Sequence, residues 1–313
     1  MRTRPLGKTG IDVTELSLGT WGLSGDGYGA VTADEPRRVI DRACAMGVNL
    51  FETSASYGRG KIERTLGEAL AEKDGIVVTK WGTDRSSAPP QKRFDAEYLR
   101  KCAEGSRERL GENTRVIALL HNPLEQTLKQ GDAGQTMAEL TEEGLIQSWG
   151  VSVGDEASGR AALEADAPVL SLTHNLLVVQ PLRALSSLIE EKKTGVLAHS
   201  VLFYGLLAAK WAPNKTFRAP DHRVDRWPEG SLRTRIRHLD AIRPLVSGEV
   251  KTMTAAAIRF VLEEPLVSSV VLGPRNSSQL DSAVRLNSVE PPYLSEGKLS
   301  ALEARLSHLG ISR

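Results

Sequence analysis

Four side chains of complementary acid–base character, Glu52, Tyr57, Lys80 and His121, each stand at or just beyond the end of a short apolar run. A lysine beside a tyrosine makes a proton donor, because the ammonium stabilises the phenolate and lowers the phenol pKa from about 10. A carboxylate such as Glu52 keeps that lysine charged and oriented. His121 suits polarising a substrate oxygen or assisting proton transfer. Singly, a Glu or Lys at a strand end reads as a rim salt bridge. The four types on consecutive runs point to general acid chemistry.

Such a set works only if the chain brings the runs together. The apolar runs are TELSLGT (14–20), GVNLFET (47–53), GIVVTK (75–80), RVIALLH (115–121), IQSWGVS (146–152), PVLSLTH (168–174), TGVLAHS (194–200) and VSSVVLG (267–273). Segments of helical period follow them at 32–46, 60–72, 95–110, 135–143, 155–165, 181–192, 252–263 and 276–286. Strand and helix in strict alternation predict a parallel sheet, and this tally predicts a (β/α)8 barrel of the TIM type. The competing reading is an open doubly wound sheet. No GxGxxG follows any predicted strand, and no linker rich in Pro, Gly or Ser divides the chain, so residues 1–313 read as one barrel domain.

In a barrel the C-terminal strand ends form the active face, so Glu52, Lys80 and His121 converge there, with Tyr57 in the loop after the second strand. The first thirteen residues predict a hairpin closing the opposite end. A long connection over about 201–250 carries an extra helix near 231–246, and an amphipathic helix over 295–309 follows the last unit. Connections of that length are commonly lids or binding loops.

Composition narrows the setting. The chain has 313 residues, 40% of them hydrophobic, and 40 basic residues against 39 acidic, a net charge of +1. That balance gives no global field toward nucleic acid or an anionic membrane. The longest apolar stretch, Val201 to Ala209, falls well short of the roughly 20 residues a membrane helix needs. The N-terminal MRTRPLGKTG has no apolar run and does not read as a secretory signal. Cys44 and Cys102 lie in no CxxC spacing, which fits a reducing, cytoplasmic setting and small buried thiols. His174 reads as structural; His222, His238 and His308 read as loop or surface residues without ligand spacing, so no metal is expected. Oligomeric state is not legible.

The segments FETSASYGRGKIERTLGEAL (51–70), VVTKWG (77–82), LLHNPLE (119–125), WGVS (149–152), SVLFYGLLAAK (200–210) and LGPRNSSQL (272–280), with KTGIDVTELSLGTWGLSG (8–25), resemble the successive motifs of the aldo-keto reductase superfamily. The resemblance implies a barrel that binds NADPH in an extended conformation and reduces carbonyls, with Tyr57, Lys80 and His121 in the catalytic positions. Glu52 stands where the family has Asp. One methylene lengthens its reach by about 1.5 Å, which a rotamer change absorbs.

The resemblance also implies a cofactor path. Gly19, Thr20 and Trp21 would border the nicotinamide ribose, and Ser152, Ser171 and His199 the ring. Here the chain departs from the pattern: Val153 replaces an Asn, Ser171 a Gln and His199 an aromatic residue. His199 reads either as a stacking ring or as a neutral strand histidine. Ser200, Leu202, Gly205, Leu207 and Lys210 match the loop over the pyrophosphate. Gly273, Pro274, Arg275, Asn276 and Gln279 open the last helix, with Arg275 toward the adenosine 2′-phosphate.

Trp21, Tyr28, Tyr57, Trp81 and His121 are the expected substrate-side residues. The long loop adds Phe203, Tyr204, Trp211, Phe217 and Trp227 among Lys215, Arg218, Arg223 and Arg226, a lining suited to a sugar, quinone or polyketide carbonyl. Three functions fit: an NADPH-dependent carbonyl reductase, a barrel enzyme for epimerisation or elimination on a keto sugar or natural-product intermediate, and a low-turnover NADP(H)-binding redox sensor.

Overall fold

The computed structural model describes residues 1–227 and 230–308. Eight strands form the barrel: β1 (Leu16–Gly19), β2 (Leu50–Glu52), β3 (Ile76–Trp81), β4 (Arg115–His121), β5 (Ser148–Ser152), β6 (Val169–Thr173), β7 (Gly195–His199) and β8 (Val267–Leu272). Every neighbouring pair is parallel and consecutive in the chain, and β8 closes on β1. After each strand comes a helix: α1 (Glu35–Ala45), α2 (Lys61–Leu70), α3 (Ala96–Leu110), α4 (Asp132–Glu142), α5 (Glu156–Glu164), α6 (Gln180–Lys192), α7 (Met253–Leu262) and α8 (Ser277–Asn287).

Local chemistry accounts for these boundaries. Asp95, Asp155, Thr252 and Asn276 cap the helices α3, α5, α7 and α8, each side chain accepting a backbone N–H of the first turn. The strands carry two apolar faces because helices cover them outside and side chains fill them inside. Leu50, Ile76, Val78, Ile117, Leu119, Val169, Leu197 and Val271 make the inner cluster, whereas Phe51, Val77, Leu120 and Leu170 belong to the layer between barrel and helices.

The N-terminal hairpin, Thr3–Pro5 against Asp12–Thr14, closes the bottom, and Leu6, Ile11 and Val13 join the inner cluster. Gly7, at φ +53°, permits this seating: a Cβ there would lie 2.2 Å from the Gly195 nitrogen. The extra helices run Ser231–Ile242 and Glu296–His308; Leu309, expected to end the second, lies outside the described residues. A short hairpin after β3, Thr83–Asp84 against Gln91–Lys92, has no counterpart in the apolar periodicity.

A buried charge cluster ties the hairpin to the C-terminal segment. Glu15, 7% exposed, accepts from Arg2 Nε at 3.0 Å, Arg4 Nε at 2.8 Å and the Tyr293 hydroxyl at 2.6 Å. Arg4 also donates to the carbonyls of Leu262, Glu264 and Val267. Burial alone would raise the Glu15 pKa, but the Tyr293, Arg4 and Arg2 donors outweigh it and hold the carboxyl below its ordinary range. A depressed carboxyl pKa contributes stability that is present above the unfolded value and lost as pH falls through the folded one. Glu15→Gln should therefore cost about 3 kcal/mol in denaturant unfolding at pH 7, the scale for removing one buried charge partner. The deficit should shrink toward acid pH; equal loss at pH 7 and pH 3 would contradict the charge account.

Candidate active site

Strand side chains alternate between faces. Glu52, Lys80 and His121 share the inward phase with Leu50, Val78 and Leu119 of the inner cluster, so the barrel mouth receives all three. Lys80 Nζ pairs with Glu52 Oε1, and both residues are buried, at 5% and 7% exposure. Tyr57 opens a kinked turn, Tyr57–Gly60, beyond β2, in which Gly58 and Arg59 take positive φ, and its ring centroid lies 5.0 Å from Lys80 Nζ and 6.5 Å from the His121 ring. The four expected residues thus meet at one rim.

Their electrostatics differ from the expectation in one respect. Burial, with Tyr28 and Asp26 adding to it, raises the Tyr57 pKa above its ordinary value. The neighbouring ammonium does not lower it as the residue types suggested, because desolvation of the phenolate dominates. Burial also pushes Lys80 down, to about 7, with the Lys92 ammonium acting in the same direction. The touching Glu52 carboxylate pulls the other way. His121 is held well below its ordinary range by burial, then by Lys80, Lys92 and His199. Tyr57 is thus a protonated acid near neutrality and His121 an uncharged imidazole.

The backbone gears Tyr57 to Lys80. Ser54 Oγ donates to the Lys80 carbonyl at 2.9 Å, and the Tyr57 amide donates to the Ser54 carbonyl at 2.9 Å. On the outward face of β3, Thr79 Oγ1 donates to Glu63 Oε1 at 2.6 Å and Ser106 Oγ donates to the same oxygen at 2.8 Å. Arg109 Nε donates to Glu63 Oε2 at 2.7 Å. Trp81 joins this outer network, its indole N–H donating to Ser106 Oγ at 2.9 Å. The expectation of Trp81 on the substrate side is therefore corrected. Next to Lys80 in the strand, it has the opposite phase and is 1% exposed beneath α3.

The expected cofactor residues lie along the same rim. Thr20 donates through Oγ1 to the Glu52 carbonyl at 2.9 Å, and Trp21 begins the turn after β1. Ser152 Oγ donates to Asn122 Oδ1 at 3.3 Å, and Ser171, in the inward phase with Leu197, is 1% exposed. His199 Nδ1 lies 3.0 Å from Ser200 Oγ, and burial, then Lys80, lowers its pKa to about 3. Val153 packs in the layer outside the barrel near Gly159, so it is not a rim residue.

Beyond β7 the backbone turns sharply, with positive φ at Ser200, Phe203, Tyr204, Gly205 and Ala209. Leu202 and Gly205 are half-buried there, Leu207 is buried and Lys210 exposed. At the last helix Gly273 is exposed and Pro274 buried. Asn276 caps α8, and Gln279 Oε1 accepts the Arg275 amide at 2.9 Å. Arg275 is no free cation: Nη2 donates to the Gly29 and Ala30 carbonyls at 3.1 and 3.0 Å.

The long loop folds over the first. The His222 amide donates to the Gly27 carbonyl at 2.8 Å, and its ring sits 4.5 Å from Trp21, 4.7 Å from Tyr28 and 5.4 Å from Tyr204. His222 was expected on a loop or helix surface; the loop closure instead brings it among aromatic rings. Trp21 in turn stacks 6.4 Å from Tyr57. Arg223, paired with Asp221 at 2.6 Å, lies over Tyr28 and Phe217, while Phe203 and Trp227 pack edge to face. Sequence reasoning missed Thr83 and Lys92 as well. Lys92 Nζ donates to the His121 carbonyl at 2.6 Å and to Thr83 Oγ1 at 2.9 Å. A two-residue hairpin strand leaves no periodic signal for either.

A sequence profile of the Aldo/keto reductase family matches residues 15–298. The chain belongs to this family. Among relatives of this aldo-keto reductase, D-threo-aldose 1-dehydrogenase of Pseudomonas sp is 26% identical, the match covering 90% of this chain and 92% of the relative. L-galactose dehydrogenase of Arabidopsis thaliana is 27% identical over 97% and 93% of the two chains. The glycerol dehydrogenase structure from Gluconobacter oxydans superposes with a TM-score of 0.84 at 24% identity, covering 98% of this chain and 95% of that one. The eight-stranded fold of this aldo-keto reductase is thus shared.

Gly19 borders the ion pair: a Cβ there would lie 2.8 Å from Val271 Cγ1 and 3.3 Å from Glu52 Oε2. Gly19→Ala should overpack the barrel mouth and lower thermal stability by about 1–3 kcal/mol. An unchanged melting temperature would show that the mouth has room to spare.

Proposed function

We propose that this aldo-keto reductase reduces a small-molecule aldehyde or ketone to an alcohol with NADPH, Tyr57 giving the proton. The convergence of Tyr57, the Lys80–Glu52 pair and His121 at one barrel mouth supports this reading above all. Several features fit a dinucleotide: inward polar residues Ser152, Ser171 and His199 at the rim, the sharply turned backbone after β7, and the capped start of α8. Gly19, Thr20 and Trp21 would border its ribose. Ser200, Leu202, Gly205, Leu207 and Lys210 would meet its pyrophosphate. Gly273, Pro274, Asn276 and Gln279 would meet its adenosine end, with Arg275, oriented by two loop carbonyls, toward the 2′-phosphate.

Bound along this path, the cofactor supplies hydride. The remaining work falls to side chains of this chain. His121, uncharged, donates a hydrogen bond to the carbonyl oxygen and makes the carbon electrophilic. Tyr57 delivers its phenolic proton to that oxygen as negative charge builds. Its raised pKa keeps the proton available at neutral pH, and the Lys80 ammonium stabilises the phenolate that remains. Glu52 fixes the Lys80 side chain in place. Trp21, Tyr28 and the folded-over loop exclude water from the substrate side, and their aromatic faces suit a flat or hydroxylated carbonyl compound.

Tyr57→Phe should lower turnover of a broad aldehyde such as nitrobenzaldehyde at least about 100-fold. NADPH binding, read by quenching of tryptophan fluorescence, should persist; near-normal turnover would overturn the assignment. The pH dependence has a definite sign. Reduction needs the Lys80 ammonium, whose pKa burial lowers below the ordinary lysine range, so kcat should fall as pH rises through that lowered value. Lys80→Met should be slow and flat over the same range. A wild-type profile level to pH 9 would remove Lys80 from the proton-transfer step.

A further inference from the structure

Thr83 and Lys92 face each other across the short hairpin after β3, and both reach His121. Thr83 Oγ1 lies 2.9 Å from Lys92 Nζ and 3.5 Å from His121 Nδ1. The groups themselves fix the direction of the first bond and leave that of the second to the tautomer of His121. An ammonium only donates, so the Thr83 oxygen accepts from Lys92 and its own proton must go elsewhere. Among the described residues, the remaining hydrogen-bond partner of that hydroxyl is His121 Nδ1. An uncharged imidazole has one acceptor nitrogen; if Nδ1 accepts, the proton resides on Nε2.

We infer that Thr83 and Lys92 are positioning residues that fix the tautomer of His121, holding Nδ1 as acceptor and presenting Nε2–H to the substrate oxygen. This rests on the role given to His121 in the proposed reduction, and it deepens that role. The inference concerns residues that make no claim to touch substrate. Lys92 acts twice, once through Thr83 and once through its bond to the His121 carbonyl at 2.6 Å, which fastens the hairpin to the end of β4. Burial keeps His121 uncharged, so a tautomer choice exists to be made. Unfixed, the ring would divide between Nδ1–H and Nε2–H, and the first form would present a lone pair where a donor is needed.

The test reads the tautomer directly. The full chain, labelled with 15N-histidine, is compared with Thr83→Val, Thr83→Ser and Lys92→Met by two-dimensional NMR, with His121 assigned through His121→Asn. The wild type should show a pyridine-like Nδ1 and a pyrrole-like Nε2. Thr83→Val, which keeps the shape of the side chain, should shift His121 toward the mixed pattern, and Thr83→Ser should restore it. Lys92→Met should move the signal in the same direction as Thr83→Val, which guards against misfolding of either variant. In aldehyde reduction, Thr83→Val should lose about tenfold in kcat with little change in KM, the scale of one hydrogen bond made in the transition state. A pyrrole-like Nδ1 in the wild type, or a His121 signal unmoved in both variants, would overturn the inference. The two readings fail separately: a tautomer shift with no turnover even in the wild type sinks the reductase and leaves the positioning, whereas turnover with an unmoved signal does the reverse.

Discussion

Glu52 and Lys80 are opposite charges taken out of water into the mouth of a barrel, directly above an inner cluster made of Val, Leu and Ile. Each charge alone would be expensive in that position, and only their pairing makes the burial tolerable. The pair therefore depends on geometry: β2 and β3 must hold their register, Glu52 opposite Val78, so that the carboxylate meets the ammonium one layer above the apolar interior. A slip of one residue would turn Lys80 into the helix layer and Trp81 into the mouth. What the barrel supplies to the chemistry is this fixed register.

The outer layer enforces it. Glu63 on α2 is fully buried, yet its carboxylate is answered by Thr79, Ser106 and Arg109. Thr79 and Trp81 flank Lys80 in sequence and point away from it, and both end in this network, Trp81 through Ser106. The strand is thus held on its outer face by the residues on either side of the lysine. Ser54 adds a third fastening, from the loop that carries Tyr57 to the Lys80 carbonyl. Three elements, α2, α3 and the loop after β2, converge on one strand residue.

Much of this was legible before any coordinates. Apolar runs a few residues long, separated by helical periods, marked all eight strands and helices to within a few residues, because burial on both faces forces those runs to be apolar. Glu52, Lys80 and His121 were found because they interrupt such runs at their ends. Trp81 misled for a related reason: its neighbour is catalytic in type, but composition says nothing of which face a strand residue takes until the register is known. His222 was invisible because long-range loop closure brings it to the rim, and Thr83 and Lys92 because two-residue hairpin strands have no period to read. The Tyr57 pKa was misjudged because residue types announce a charge partner but not the depth of burial that outweighs it.

The structure shows where the length of a glutamate goes at position 52, where the resemblance implies Asp. The longer side chain carries its carboxylate further across the mouth, toward β1, where Oε2 comes within 3.3 Å of the place a Cβ would occupy on residue 19. That residue is glycine, paired directly with Glu52 in the β1–β2 register. The extra methylene thus finds its room on the neighbouring strand, and Oε1 still meets Lys80. Thr20, the next residue, bonds the Glu52 carbonyl through both its amide and its hydroxyl, so backbone and side chain of Glu52 are held by the same short stretch of β1. Size at position 52 and absence of size at position 19 are one steric condition, and the lysine's partner is set by both.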